Sequence, residues 1–244
     1  MSELWHHKSL ELFRGLDEAD AAAMERSLGV VELRKNQLAP LREGQKRCLF
    51  VVLQGHVRLT YTDARGAEAV VVVLGPGDFF GSLEEDDADY GSHCRALTNA
   101  RLGRLSASEF DALVKKSPHL ALKLTKMSMS RVQRLQVRLA EMMLRTVSER
   151  LALTLLSLAE QVGREEPGGK VRLMLWLTQS DLGKLIGSSR EMVCKVMKDF
   201  QAGGLVEVDK GWINLTSLDG LRERAGTRPN DAGEKPAPPA RKPR

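Results

Sequence analysis

Thr178-Gln-Ser-Asp-Leu-Gly-Lys-Leu-Ile-Gly-Ser-Ser-Arg-Glu-Met-Val-Cys-Lys-Val-Met-Lys-Asp-Phe200 decides how this chain is read. Thr178 followed three residues later by Asp181 is a capping-box-like helix start. Leu182, Leu185 and Ile186 give that helix one apolar side. Gly187 permits a tight turn, and Ser189 is placed to cap a second helix. In the second helix Val193, Val196, Met197 and Phe200 recur at helical spacing on one side, which leaves Arg190, Glu191, Cys194, Lys195 and Lys198 on the other. Just downstream, Leu205–Val208 and Trp212–Leu215 flank Asp209-Lys-Gly211, a hairpin signal with Lys-Gly at its turn. Two short helices joined by a glycine turn and followed by a hairpin form a winged helix-turn-helix. As bare pattern, an ordinary helical hairpin with solvated charges remains the alternative.

The outward residues have the chemistry of base readers. Arg190 and Glu191 open the second helix, whose amino end can enter a major groove. An arginine donates a fork to guanine O6 and N7, and a glutamate accepts from cytosine N4. Lys195, one turn on along the same face, reaches toward another guanine or a thymine O4. Thr178, Gln179, Ser189 and Lys198 are the candidate contacts to the phosphate backbone. Nothing competes for an enzymatic reading: there is no nucleophile–base motif, no metal-ligand spacing and no phosphate loop. The expected partner is double-stranded DNA.

Upstream of this unit, Lys170–Leu177 reads as a strand pair or bent strand, Arg164–Gly169 as a polar turn, and Val147–Val162 as an amphipathic helix ending at Gly163. Ser117-Pro118 supplies an N-cap and a favourable first residue for a long helix running to about Arg145. On it Val132, Leu135, Leu139 and Met142 fall at 3-4-3 spacing, a coiled-coil seam that Ser128 and Arg131 interrupt upstream. The seam points to a homodimer, with packing against the chain's own domain as the alternative. Before it, Val30–Leu33, Cys48–Leu53, His56–Tyr61, Ala69–Leu74, His93–Leu97 and Arg101–Leu105 are short strands punctuated by turn residues, the pattern of an all-β roll or sandwich-like unit. A short helix over Leu10–Leu28 precedes them, and Ser108–Val114 makes one or two helical turns. Beyond Arg224 the chain is Pro-rich, basic and without large apolar residues, the composition of a disordered tail. The expected class is therefore α+β. A β-roll sensor with short helices spans 1–112, a dimerisation helix 113–145, a winged helix-turn-helix 146–225 and a tail 226–244.

Charge divides along the same lines. The overall +5 hides a net of −5 in residues 1–112, +7 in 113–225 and +3 in 226–244, so the basic back suits a polyanion partner. Within 178–200 the net is only +1, so specificity there rests on a few placed side chains. At 42% apolar and 28% charged the chain is globular in composition, and no apolar run approaches the roughly 18 residues of a membrane span. The amino terminus has no secretory pattern, and Cys48, Cys94 and Cys194 are too few and scattered for a disulfide framework. These features point to a cytoplasmic protein with no membrane partner.

A roll, a long helix and a winged helix-turn-helix, in that order, resemble the cyclic AMP receptor protein (CRP/FNR) family of bacterial transcription regulators over about residues 10–220. The most specific stretches are Leu53-Gln-Gly-His-Val-Arg-Leu59, Gly75-Pro-Gly-Asp-Phe-Phe-Gly81 and Leu177 through Val193. The resemblance implies base reading by Arg190, Glu191 and Lys195, the last standing where the family often has arginine, with RNA polymerase as a further partner. Arg-Glu at these positions resembles members that read TGTGA-type half-sites. Two subunits paired along the long helix would set two reading helices one DNA turn apart on a pseudo-palindrome.

The effector positions depart from the nucleotide-binding pattern. Where such members carry a Gly-Glu pair for the ribose, this chain has Gly81-Ser82. The Arg-Ser pair for the cyclic phosphate falls on Tyr90-Gly91, and the adenine-contacting Thr-Ser pair on Leu135-Gln136. No cation remains among those pairs to meet a phosphate, Arg95 being only a shifted candidate. Glu84-Glu-Asp-Asp87 and Asp89 would repel one. Cyclic AMP held in the usual way is not expected, nor is any cofactor or metal. The pocket is vestigial or takes a different effector, apolar or cationic. An iron–sulfur sensor lacks its amino-terminal cysteines, and His6, His7, His56, His93 and His119 are undistinguished as haem ligands. Cys94 is a redox thiol or a buried strand cysteine, and Cys194 on the reading helix would gate DNA binding if oxidised. The leading reading is a homodimeric DNA-binding transcription regulator. The alternative is a non-enzymatic ligand- or redox-sensing module acting through a protein partner.

Overall fold

A computed structural model describes residues 24, 26–40, 42–43, 46–82 and 92–226. The predicted helix Leu10–Leu28 lies mostly outside these residues, as do His6, His7, the acidic run 84–89, Tyr90, Gly91 and the tail from 227 onward. The structure divides into two compact units between Ala140 and Glu141.

In the first unit the strands are β1 (Gly29–Leu33), β2 (Arg42–Glu43), β3 (Lys46–Gln54), β4 (Val57–Thr62), β5 (Glu68–Leu74), β6 (Phe79–Gly81), β7 (Ser92–Ala96) and β8 (Ala100–Ser106). One antiparallel sheet runs β1-β8-β3-β2 with β6 also on β3, and a second runs β5-β4-β7. The central strand β3 is a nearly continuous apolar run because both of its faces are covered. Cys48, Phe50 and Val52 point into one core cluster with Phe80, Cys94 and Leu102. Leu49, Val51 and Leu53 point into another with Met24, Leu105, Leu113 and Leu124. Phe50 and Phe80 stack with ring centroids 5.3 Å apart. A bulge interrupts β4–β5: Leu59 faces Val72 and Thr60 faces Val70, so Val71 has no partner across the pair.

Two helices follow: α1 (Ala107–Lys116), opened by a Ser106–Glu109 capping box, and the long α2 (Pro118–Leu144). The break between the two units falls inside α2, within the segment 113–145. A helix has no core of its own, so each part belongs to what it packs on: Leu124 joins the roll's core, and the last turn belongs with the second unit.

The second unit comprises α3 (Val147–Val162), β9 (Gly163–Glu166), β10 (Lys170–Leu173), α4 (Gln179–Ile186), α5 (Arg190–Ala202), β11 (Val206–Asp209), β12 (Trp212–Leu215) and α6 (Leu218–Arg224). Its sheet order is β11-β12-β10-β9. Leu151, Leu155 and Leu158 of α3, Leu182 of α4, Phe200 of α5 and Leu221 of α6 are buried. The expected polar turn 164–169 is corrected here. Gly163–Glu166 pairs with Lys170–Leu173 as an edge strand, leaving the turn to 167–169, where Gly168 and Gly169 have positive φ. Edge strands are held by backbone bonds and need no apolar alternation, so Gly-Arg-Glu-Glu gave no period-two signal. The expected strand Lys170–Leu177 stops at Leu173, although Leu175 and Leu177 still enter the core. Helix α6 and strands β2 and β6 were not foreseen.

Candidate nucleic-acid interface

Local chemistry sets the helix-turn-helix. Thr178 is the N-cap of α4: its hydroxyl accepts from Asp181 N (3.1 Å) and donates to Asp181 Oδ2 (2.7 Å), while its amide donates to the same carboxylate (3.0 Å). Gly187 ends α4 in the left-handed region, at φ 63° and ψ 49°. Gly183 allows the close approach of the turn, because a Cβ there would lie 2.7 Å from Ser188 O. Ser189 then caps α5, accepting from Met192 N at 3.2 Å.

On α5 Val193, Val196, Met197 and Phe200 are buried. Arg190, Glu191, Lys195 and Lys198 are exposed, and Cys194 is half-buried between them. Glu191 is held below the usual carboxylate range by its own backbone N–H, then by the Ser189 hydroxyl, with Arg190 adding a smaller charge effect. It is therefore a hydrogen-bond acceptor at neutral pH. Of the candidate backbone contacts, Ser189 is exposed and Gln179 half-buried. The Thr178 hydroxyl hydrogen is already given to Asp181, so that residue serves first to shape the start of α4.

The wing adds residues that sequence reasoning missed. Lys210 and Gly211 both have positive φ, 47° and 85°, the geometry of a tight two-residue hairpin turn. Trp212 meets Trp176 edge-on at 5.4 Å, and a Cβ at Gly211 would strike Trp176 at 2.3 Å. The wing tip is thus braced against the residues that lead into α4, and Lys210 projects from it, exposed. Two of the chain's three tryptophans at 176 and 212, one on each side of the reading helices, were the available signal.

In the roll, Gly81 ends β6 at φ 111°, where a Cβ would lie 2.2 Å from Cys48 O. Ser82 follows it, half-buried. Arg95 pairs across β4–β7 with Arg58, and its guanidinium donates to Asn36 O at 2.8 Å. Two arginines of α2 also reach the roll. Arg131 donates to Phe79 O at 2.5 Å, two residues before Gly81, with Asp78 as its nearby counter-charge. Arg138 donates to Val71 O and to Val70 O (3.0 Å), the carbonyls beside the β5 bulge.

A groove of about 740 Å³ opens between the roll, α1 and α2, lined mainly by Leu49, Phe79, Phe110, Val114, Leu124 and Val132. Gln136 lines it, but Leu135, Gly81 and Ser82 do not. The four seam residues stand exposed on α2: Val132 53%, Leu135 39%, Leu139 60% and Met142 39%. Met142 differs from the other three, since its Cε lies beside the Gly187 turn, 3.2 Å from where a side chain at 187 would begin. It packs on the helix-turn-helix as well as belonging to the seam. Among the described residues no cluster of His, Cys, Asp and Glu has the arrangement of a metal site, and no helix is long and apolar enough to cross a membrane.

An antiparallel roll joined through a long helix to a braced winged helix-turn-helix defines a class of two-part DNA-binding regulators. Residues 30–117 match the family model described as a cyclic nucleotide-binding domain, and residues 149–224 match the Crp-like helix-turn-helix domain. The chain belongs to the CRP/FNR family of transcription regulators and carries that family's helix-turn-helix DNA-binding domain. It is similar to the CRP-like cAMP-activated global transcriptional regulator of Mycobacterium tuberculosis, at 26% identity over 215 residues, covering 88% of this chain and 96% of the relative. The cAMP-activated global transcriptional regulator Vfr of Pseudomonas aeruginosa is 28% identical over 170 residues, 66% of this chain and 78% of that protein. A CRP/FNR-family regulator from Thermus thermophilus superposes with a TM-score of 0.69 at 27% identity, covering 82% of this chain and all of the other. The c-di-GMP responsive regulator CLP of Xanthomonas campestris shares the fold, with a TM-score of 0.68 at 19% identity over 82% of this chain and 100% of that one.

Proposed function

We propose that the chain is a cytoplasmic, non-enzymatic homodimer that reads a TGTGA-like palindrome and regulates transcription through RNA polymerase. The observation that carries this reading is the outer face of α5, where Arg190, Glu191 and Lys195 stand exposed over a buried apolar side, with Glu191 ionised. Arg190 reads guanine O6 and N7, Glu191 accepts from cytosine N4, and Lys195 reaches the outer part of the half-site without arginine's rigid fork. Gln179, Ser189 and Lys198 contact phosphates, and Thr178 presents α4 to the backbone. The exposed stripe Val132, Leu135 and Leu139, with the apolar groove beside it, supports pairing of two copies along α2.

The roll's residues do not fit cyclic AMP in the usual manner, even though its shape matches a cyclic nucleotide-binding domain. Ser82 supplies no carboxylate for a ribose, Leu135 and Gln136 replace a Thr-Ser pair, and Arg131 and Arg138 already serve backbone carbonyls. The roll either acts without a ligand or takes a different effector, which would shift the population between DNA-competent and incompetent dimers. The test is fluorescence anisotropy with a TGTGA(N6)TCACA-like duplex. Glu191→Ala is expected to weaken binding by about 1–3 kcal/mol and to erase the preference for the C·G pair that it reads. An unchanged preference at that pair overturns the assignment.

A further inference from the structure

The junction between α2 and α3 makes contacts that the family assignment does not account for. Arg145 is the residue between the last turn of α2 and Thr146, the N-cap of α3. Its guanidinium donates to Ala225 O at 2.5 Å, just past the end of α6, and lies 3.7 Å from Glu149 Oε1. The other Glu149 oxygen is held by Thr146, through its amide (2.7 Å) and its hydroxyl (2.8 Å). Arg150 donates back to Met142 O (3.2 Å) and Arg145 O (3.0 Å), capping the carbonyls that α2 leaves open at its end. The junction is therefore pinned by two arginines and a capping box rather than left as a loose linker.

Both arms of this junction lead to α5. On one side the Cε of Met142 rests beside Gly187, in the turn that delivers the first residues of α5. On the other, α6 runs from the Arg145 contact to the far part of the reading helix. Arg224 lies over the ring of buried Phe200 at 5.9 Å, and a Cβ on Gly220 would strike Leu205, just past α5, at 2.5 Å. Leu221 and Ala225 are fully buried, so α6 is packed in place and is not a frayed terminus.

We infer that Arg145 is a positioning residue for DNA reading: through Ala225 and α6 it grips one part of α5, while Met142 grips the other, so that α5 is held in register with the last turn of α2. This deepens the proposed DNA reading by assigning its alignment to a junction far from any base. A guanidinium suits the task because it is always charged, and one terminal nitrogen, Nη1, both donates to the Ala225 carbonyl and lies 3.7 Å from the Glu149 carboxylate.

The experiment uses the full chain with Arg145→Ala, Arg145→Lys and Met142→Ala, each checked by thermal melting for a cooperative fold. Hydrogen exchange on the free protein is the first readout. Arg145→Ala is expected to speed exchange at 200–205 as well as at 218–226, by about tenfold, the ratio that corresponds to losing one charge-assisted bond. Arg145→Lys should stay within about threefold of the parent, because the charge and one donor remain. Met142→Ala, at a partly exposed position, should open 187–193 alone. Exchange that rises only at 218–226 in Arg145→Ala, or in neither segment, overturns the inference whatever the DNA results. Anisotropy is the second readout. Arg145→Ala should lose affinity for the palindromic duplex about tenfold, with less than a twofold change for a single half-site. Equal loss on both duplexes overturns the inference as well. Failure of the parent protein to prefer the palindrome over a scrambled duplex would instead count against the DNA reading, and the exchange result would still decide the role of Arg145.

Discussion

Cys94 shows how one residue's role depends on what surrounds it. It is 1% exposed within the roll's core, and burial pushes its thiol up to about 12. At neutral pH it is a protonated, enclosed thiol, and the thiolate is the reactive form. A redox role in the native state is thus disfavoured for Cys94 and for Cys48, which is also fully buried. Cys194 sits half-buried on α5 beside Lys195. In a maleimide labelling course at pH 7.5, one cysteine per chain, Cys194, should react within minutes, while Cys48 and Cys94 react only after unfolding. Rapid native labelling at Cys94 would revive a thiol sensor in the roll. Arg131 and Arg138 make the same point: two charged residues of a long helix become, in the fold, the donors for carbonyls of β6 and β5.

At the scale of elements, α2 carries two unlike faces. Leu124 enters the roll's core and Arg131 and Arg138 reach its carbonyls, while Val132, Leu135 and Leu139 are left in solvent. Large apolar residues repeated on one exposed stripe favour a partner helix, since a buried leucine gains about 1.5–3 kcal/mol over an exposed one. If the proposed dimer pairs along this stripe, Leu139→Asp is expected to convert it to monomer in sedimentation velocity at micromolar concentration. It should weaken palindrome binding by at least about tenfold while sparing the monomer's thermal stability. A parent protein that already sediments as a monomer would assign the stripe to another partner. The stripe and the helix-turn-helix were both legible because helical periodicity is local. Edge strand β9 and helix α6 were not, because the one lacks an apolar period and the other is only seven residues long.

For the whole molecule, charge complements placement. The reading unit 178–200 has a net of only +1, whereas residues 113–225 carry +7 and 226–244 a further +3. The chain's net positive charge therefore lies mostly outside the proposed base-reading face. Removing residues 227–244 is expected to lower affinity for a scrambled duplex and to flatten the dependence of log K on log salt by up to about 3, with operator preference kept. A slope unchanged across 50–300 mM salt would show that the tail makes no phosphate contacts. The sequence by itself determined the succession of roll, long helix and winged helix-turn-helix, and the identity of the outward residues on α5, because alternation, helical spacing and caps are set by neighbours along the chain. The tertiary structure alone decided that Arg131 and Arg138 bind roll carbonyls, that Trp176 and Trp212 brace the wing, and that Arg145 meets Ala225. Each of these joins residues from 36 to 80 positions apart along the chain, apart from any local period, so only packing brings the partners together.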